Sequence, residues 1–396
     1  MPERTRILIV LTPPLDPSTG GVQMSTVKMA RMLNSQGVEV GVFSFEAHGH
    51  RATENVALFS APESGNVANK SNHAALVDAI SRFKPHAVIS QMPYEHAITD
   101  TLRRASAVPR IGCLRNTLYS VRNNLDAYAE NLLPPPIKGL GRSAIGRAAL
   151  LAFHRQRHAK DLRQILASYD CFVMFAEPNL EELAYFVPDY DAQTIALIPN
   201  SIPNVADRVP PKAKRLLWLA RVSVHQKRAD LILPIWRKIA PQLPDWTLDI
   251  VGDGPFLDDI RQEISRDKLP RIELHGRQPS TPFFTRSEVF IMTSDFEGFP
   301  NTLIEAQSQG AVPVVVDSYP MVRWLIQPGE NGLLTPKGDV EALARAVVDL
   351  CRSEERLANM AQGALRSAAY FTEEKVALEW RGLIDELIDT GLDSSR

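Results

Sequence analysis

A chain of 396 residues exceeds one ordinary hydrophobic core, so two domains are expected. Hydrophobic residues make up 44% and charged residues 23%, and 44 Lys/Arg against 46 Asp/Glu leave a net charge of −2, which excludes a global pull toward nucleic acid. Cys113, Cys171 and Cys351 are odd in number, far apart and without a CxxC pair, which argues against a disulfide framework or a zinc site and fits reduced cytosolic thiols.

The apolar run after Arg6 stops at Pro13-Pro14. It is too short for a signal peptide and predicts a β-strand over 7–11, covered on both faces. No run approaches the roughly 18 apolar residues of a membrane span. Gly20-Gly21 opens a predicted helix to about 36, capped by Gly37. Strands follow over 38–45, 86–90, 110–114 and 171–175, with helices over 74–83 and about 141–167. That alternation predicts a parallel sheet with helices on both faces. The segment 203–214 is rich in proline and charge and reads as a linker. The same grammar then repeats, with strands over 216–220, 247–251, 272–275, 289–292 and 312–316. Helices are predicted over 229–240, 256–266, 301–309, 340–352, 354–369 and 372–389. The expected fold is α/β, two Rossmann-like doubly wound domains facing each other across a cleft, spanning 1–203 and 204–371. The helix 372–389 is free to pack back onto the first domain. Ligands are expected at the carboxyl ends of the strands.

The most informative run is Ser294-Asp295-Phe296-Glu297-Gly298-Phe299-Pro300-Asn301-Thr302-Leu303-Ile304-Glu305. It places Glu297 in a Gly/Pro loop after a strand and Glu305 about a turn inside a helix that Asn301 can cap. Carboxylates accept hydrogen bonds from sugar hydroxyls, and the backbone N–H groups near Pro300 to Leu303 suit an anion. That combination fits a polyol joined to a phosphate. Arg221 stands at a strand end and Lys227 six residues on, so both cations can meet one diphosphate, Arg as a fork and Lys as a point charge. Gly20 and Gly21 let backbone approach a phosphate or sugar. The plainer readings are solvated surface charges and a flexible turn. Neither a GxGxxG fingerprint nor a P-loop occurs, so an ATPase finds no support.

Together these residues resemble the retaining glycosyltransferases of family 4 (glycosyltransferase group 1), which have the GT-B fold. The match is strongest over about 216–348 and includes the tract Asp249-Ile250-Val251-Gly252-Asp253-Gly254-Pro255, the Pro199-Asn200 turn, and Gly329-Glu330-Asn331-Gly332-Leu333-Leu334. The resemblance implies that Glu297 bonds the transferred sugar and Glu305 the ribose. It implies that amides from Phe299 to Thr302, beside Gly298 and Pro300, face the diphosphate. Arg221 and Lys227 would neutralise the leaving group, and Gly20 and Gly21 would close on the donor phosphates. No metal or other cofactor is then required. Asp189-Tyr190-Asp191 is a DxD string placed at a turn and not in a nucleotide pocket. Two places depart from the family. Arg115 and Asn116 stand where a histidine is common, as candidate sugar or phosphate contacts, and Asp317-Ser318-Tyr319-Pro320 replaces a Gly-Gly pair.

From 138 to 163 seven basic residues (Lys138, Arg142, Arg147, Arg155, Arg157, Lys160 and Arg163) face one acid, Asp161, with apolar residues between them. Such a stretch suits an anionic membrane surface or a solvated helix face. The expected protein is a cytoplasmic transferase, peripheral at the inner face of the membrane. It would move a hexose or N-acetylhexosamine from a nucleotide sugar, UDP first and GDP second, to a glycan or lipid-linked acceptor in surface polysaccharide or glycoconjugate assembly. The alternatives are a nucleotide-sugar 2-epimerase and a catalytically silent sugar-binding protein. Nucleic-acid binding is disfavoured.

Overall fold

The computed structural model describes residues 4–393 apart from 17–20, 47, 50–54, 64, 106, 126–127, 130–142 and 203. It divides the chain into two compact units, Met1–Ser201 with Glu373–Arg396, and Ile202–Thr372.

The first unit holds a seven-stranded parallel sheet of β1 (Arg6–Leu11), β2 (Glu39–Ser44), β3 (Val56–Ser60), β4 (Ala87–Ser90), β5 (Arg110–Cys113), β6 (Cys171–Met174) and β7 (Ile195–Leu197), in the order β3-β2-β1-β4-β5-β6-β7. The unbroken apolar run of β1 follows from its place at the centre. Ile7, Ile9 and Leu11 enter the core on one face, and Leu8 and Val10 enter a second core on the other. The last helix, Glu373–Asp393, belongs to this unit and buries Val376, Ala377, Trp380 and Ile384 in the same cluster as Ile7. Glu373 at its start pairs with Arg31.

The second unit holds β8 (Ala213–Leu219), β9 (Thr247–Val251), β10 (Ile272–Gly276), β11 (Ser287–Met292), β12 (Val312–Asp317) and β13 (Leu333–Pro336), ordered β10-β9-β8-β11-β12-β13. In both sheets the strand order reverses beside the first strand, at β1/β4 and at β8/β11. Such a reversal splays the connections apart and leaves a crevice at the carboxyl edge, where ligands of open α/β sheets bind.

Several elements escape the sequence reading for identifiable reasons. β3 and β13 are outer strands of their sheets, each with an exposed residue, so their runs are not continuously apolar. The helices Glu177–Phe186, Thr281–Arg286 and Pro320–Leu325 carry a proline in their first two positions, where its missing N–H costs nothing but resembles a breaker. The expected linker is not a free tether. The Ala206 N–H donates to Ser308 O (2.9 Å), and Val209 packs against the second unit's own core around Trp218 and Ile250.

On the face of the second unit's sheet opposite Leu248 and Ile250, fully buried Asp249 meets Arg215 Nη1 at 2.8 Å, His275 Nε2 at 2.7 Å and Arg286 Nη2 at 3.1 Å. Asp249, Glu273 and His275 lie close enough to ligate an ion. Arg215 already spans Asp249 and Glu273, however, so the group reads as an ion-pair network pinning the helix Thr281–Arg286 to the sheet.

Candidate active site

The β8/β11 reversal gathers four of the singled-out residues onto connections at one edge of one sheet. Arg221 follows the carboxyl end of β8, is exposed, and has no side-chain partner among the described residues. Its backbone is held from behind. Gly252 (φ +139°) and Gly254 (φ +158°) lie so close to Ala220 and Val222 that an added Cβ would sit 1.8 Å from Ala220 O and 2.4 Å from Val222 O. That approach lets Val222 N–H donate to Asp253 O (2.9 Å) and Phe256 N–H to Val222 O (3.1 Å). The Gly-Asp-Gly tract therefore fixes the strand end that presents Arg221.

Lys227 and Glu297 form an ion pair through Lys227 Nζ and Glu297 Oε1. Glu297 is 9% exposed, and its other oxygen accepts from Gln226 Nε2 at 3.2 Å. Two clips join the loops that carry them. The Asp295 N–H donates to Gln226 O (2.8 Å), and Thr293 Oγ1 donates to Lys227 O (2.7 Å) while accepting from Trp218 Nε1 (2.9 Å). Asp295 adds ion pairs to Arg228 (3.5 Å) and Lys337 (3.2 Å). Spacing suggests separate duties for Lys227 and Glu297, diphosphate and sugar. The structure makes them direct partners, so each sets the orientation and charge of the other.

The helix Asn301–Ser308 begins after the loop Gly298-Phe299-Pro300. Asn301 is not its cap. Pro300 holds that position, and no side chain caps the helix. Two of the amides expected to face an anion are used internally, Asn301 N–H on Phe299 O (2.9 Å) and Leu303 N–H on Pro300 O (3.0 Å). The Thr302 N–H has no acceptor among the described residues and remains the donor of this terminus. Glu305 is half-buried and accepts from Ser280 Oγ at 3.2 Å.

Sequence reasoning misses Gln226, Ser280 and Tyr319. Neutral polar residues carry no spacing signal, although the loop 317–324 does stand out. There Ser318 Oγ donates to Ser294 O (2.6 Å), tying that loop to the Glu297 loop. The Tyr319 hydroxyl is buried without a hydrogen-bond partner among the described residues. Burial first, and the nearby Glu297 charge second, push the Tyr319 phenol well above its ordinary value. It therefore stays a neutral donor beside that carboxylate.

The remaining candidates lie in the first unit. Gly20 is outside the described residues, and Gly21 begins the helix Gly21–Ser35, where an added Cβ would meet nothing within 4 Å among the described residues. Arg115 follows β5 with Nε and Nη2 buried and unpartnered among the described residues. Burial lowers its pKa, and Cys113 opposes that shift. The Asn116 side chain accepts from Thr117 N–H (2.9 Å), a local turn bond. Buried Glu182 shapes this loop by accepting from Thr117 Oγ1 (2.6 Å) and Leu118 N–H (2.7 Å).

In the basic stretch, Lys138 and Arg142 fall outside the described residues. On the helix Ala144–Leu166, Arg163 pairs with Asp189 (2.7 Å) and Arg155 lies over the Tyr185 ring. Asp189, the first acid of the DxD string, is thus committed to an ion pair in a turn. Among the described residues no helix is long and apolar enough to cross a membrane.

Residues 213–353 match the family model described as Glycosyl transferases group 1. The chain is 32% identical over 208 residues to an exopolysaccharide phosphotransferase of Streptomyces coelicolor, covering 52% of this chain and 22% of that protein. It is 22% identical over 244 residues to the poly(glycerol-phosphate) alpha-glucosyltransferase of Bacillus subtilis, covering 60% and 36%. The chain thus spans well under half the length of these two relatives. In fold it is similar to the pneumococcal O-GlcNAc transferase solved with UDP and GlcNAc, with a TM-score of 0.71 at 14% identity over 97% of this chain and 99% of that one. The two Rossmann-like domains are therefore those of the GT-B fold.

Proposed function

We propose that this protein is a glycosyltransferase. It moves a hexose or N-acetylhexosamine from a nucleoside diphosphate sugar onto a glycan or lipid-linked acceptor in polysaccharide or glycoconjugate assembly. The observation that carries this reading is the placement of Arg221, Lys227 and Glu297 on the two connections that flank the β8/β11 reversal. The group 1 match over the same sheet supports it, and UDP is the first choice of nucleotide because the similar O-GlcNAc transferase was solved with it.

In this reading the Arg221 guanidinium, free of side-chain partners among the described residues, forks onto the diphosphate. Lys227 adds a second charge, and the Thr302 N–H adds the helix terminus. Glu297 accepts a hydrogen bond from a hydroxyl of the transferred sugar, and Glu305 from the ribose. As the glycosidic bond to phosphate breaks, negative charge grows on the leaving diphosphate, where the two cations stabilise it. The acceptor hydroxyl attacks the face from which the diphosphate departs, which retains the anomeric configuration, and the leaving phosphate takes its proton. Catalysis is then positioning plus charge stabilisation.

Purified protein incubated with a panel of UDP- and GDP-sugars and a membrane extract is expected to release nucleoside diphosphate and place the sugar in a larger product with its anomeric configuration unchanged. Isomerisation of the sugar at C2 without an acceptor would identify an epimerase instead. No turnover of any donor would remove the proposal.

A further inference from the structure

A cavity of about 310 Å³ lies at the amino-terminal edge of the second sheet, away from the edge that carries Arg221 and Glu297. Its walls include Lys212 just before β8, Glu288 at the start of β11, and Trp246, Cys351 and Arg352. Nothing in the proposed transfer uses it.

Lys212 has an unusual setting. Its Nζ donates to Phe284 O (2.8 Å) and Gln309 O (2.7 Å), and no other acceptor meets it among the described residues. Two carbonyls satisfy both N–H groups of a neutral amine and leave its lone pair free, whereas an ammonium would carry a third N–H without a partner. Desolvation in this cavity accordingly lowers the Lys212 pKa to about 7, a shift that the Glu288 charge opposes. Burial raises the Glu288 carboxyl, so a proton is held more readily near the amine. Burial also raises the Cys351 thiol, which stays protonated and does not compete as a nucleophile.

We propose that Lys212 is a covalent attachment site whose ε-amine condenses with a small aldehyde or ketone bearing an anionic group. The amine nitrogen bonds to the carbonyl carbon while the carbonyl oxygen takes a proton. The carbinolamine then loses water as the C=N bond forms, so amine plus carbonyl gives imine plus water. Glu288 lines the same cavity as an acid whose charge acts on Lys212, and it can exchange that proton through a water. Arg352 and Lys214 on the same walls suit the anionic group, opposed by the exposed Glu354. An iminium keeps one N–H for one of the two carbonyls. The site is independent of the donor site, so either proposal can fail alone.

Pyridoxal 5′-phosphate, an aldehyde carrying phosphate, serves as the probe on the full chain, followed by borohydride reduction and peptide mass mapping. At pH 7.5 Lys212 is expected to be labelled at least about tenfold faster than exposed Lys268, because an ordinary lysine is almost wholly protonated there. Its rate should level off above a midpoint near pH 7, while Lys268 labelling keeps rising. Ala358→Trp at the exposed rim should lower Lys212 labelling about fivefold or more by steric block, with the unfolding transition unchanged. Lys212 labelling no faster than that of Lys268, or rising without a plateau to pH 10, overturns the proposal.

An independent readout comes from linkage. From about pH 7 to ~10.4 the folded chain has released a proton that the unfolded chain keeps. Lys212 therefore contributes stability that rises with pH across that window, while the buried thiols Cys113, Cys171 and Cys351, whose folded pKa is raised, contribute a fall from about pH 8.5 upward. Between about pH 7 and 8, below the thiol range, stability should climb more steeply with pH in the wild type than in Lys212→Met; equal slopes also count against the proposal.

Discussion

Glu297→Gln is expected to lower the turnover of sugar transfer by about 10²–10³-fold while shifting nucleoside diphosphate affinity by less than about threefold. The substitution keeps the side chain's shape and an oxygen able to accept from Gln226 or Lys227, so the loops clipped by Asp295 and Thr293 stay in place. What disappears is the negative charge. Glu297 is 9% exposed, and the neighbours that fix its two oxygens, Lys227 and Gln226, lie on the loop after β8. A carboxylate held this firmly can accept from a sugar hydroxyl without reorganising, which is where positioned groups gain most over water. The nucleotide's phosphates would meet Arg221, Lys227 and Thr302 instead. Lys227 loses its partner charge in this variant, which leaves it at least as available to phosphate. Steady-state rates with the donor found in the panel, alongside calorimetric titration with the nucleoside diphosphate, separate the two quantities. An equal fall in both would assign Glu297 to nucleotide binding.

Gly252→Ala is expected to destabilise the second unit by roughly 3–5 kcal/mol and abolish nucleotide binding. The added Cβ would sit 1.8 Å from Ala220 O at φ +139°, so the clash is with backbone and cannot be relieved by a rotamer change. Relief requires the Gly252-Asp253-Gly254 tract to move away from Ala220 and Val222. That movement breaks the Val222 N–H to Asp253 O bond and displaces the strand end behind Arg221. Gly382→Ala is the control, because nothing lies within 4 Å of its added Cβ and it sits inside the helix Glu373–Asp393, outside the proposed site. Urea unfolding followed by tryptophan fluorescence reads the effect through Trp218, Trp236 and Trp246, all buried in this unit. An unchanged midpoint for Gly252→Ala would show that the tract is not packed as described.

The central strands are legible in the sequence because burial on both faces demands uninterrupted apolar runs. β1 and β11 are found for that reason, and so is the strand-end position of Arg221. β3 and β13 are not, because a sheet's outer strand tolerates exposed residues and β13 even ends in Pro336. The proline-led helices fail on a different count, since a proline at the first turn and a proline that ends a helix look alike in one dimension. In the site, charged residues at strand ends stand out, whereas their partnerships do not. The Lys227–Glu297 pair depends on two loops separated by most of the sheet's first half. Ser280 reaches Glu305 from a helix that the periodicity does not reveal. Asn301 has the right chemistry for a cap but sits one position too far along, because Pro300 already occupies the entry to the helix.

In the proposed mechanism the cations at the β8/β11 crevice grip a diphosphate. Calorimetric titration of the wild type and Arg221→Ala with UDP, UMP, GDP and GMP tests it most directly. The predicted result is a diphosphate bound at least about tenfold more tightly than its monophosphate, with that preference largely lost in Arg221→Ala. Equal affinity for diphosphate and monophosphate in the wild type, or a preference untouched by removing Arg221, would contradict it.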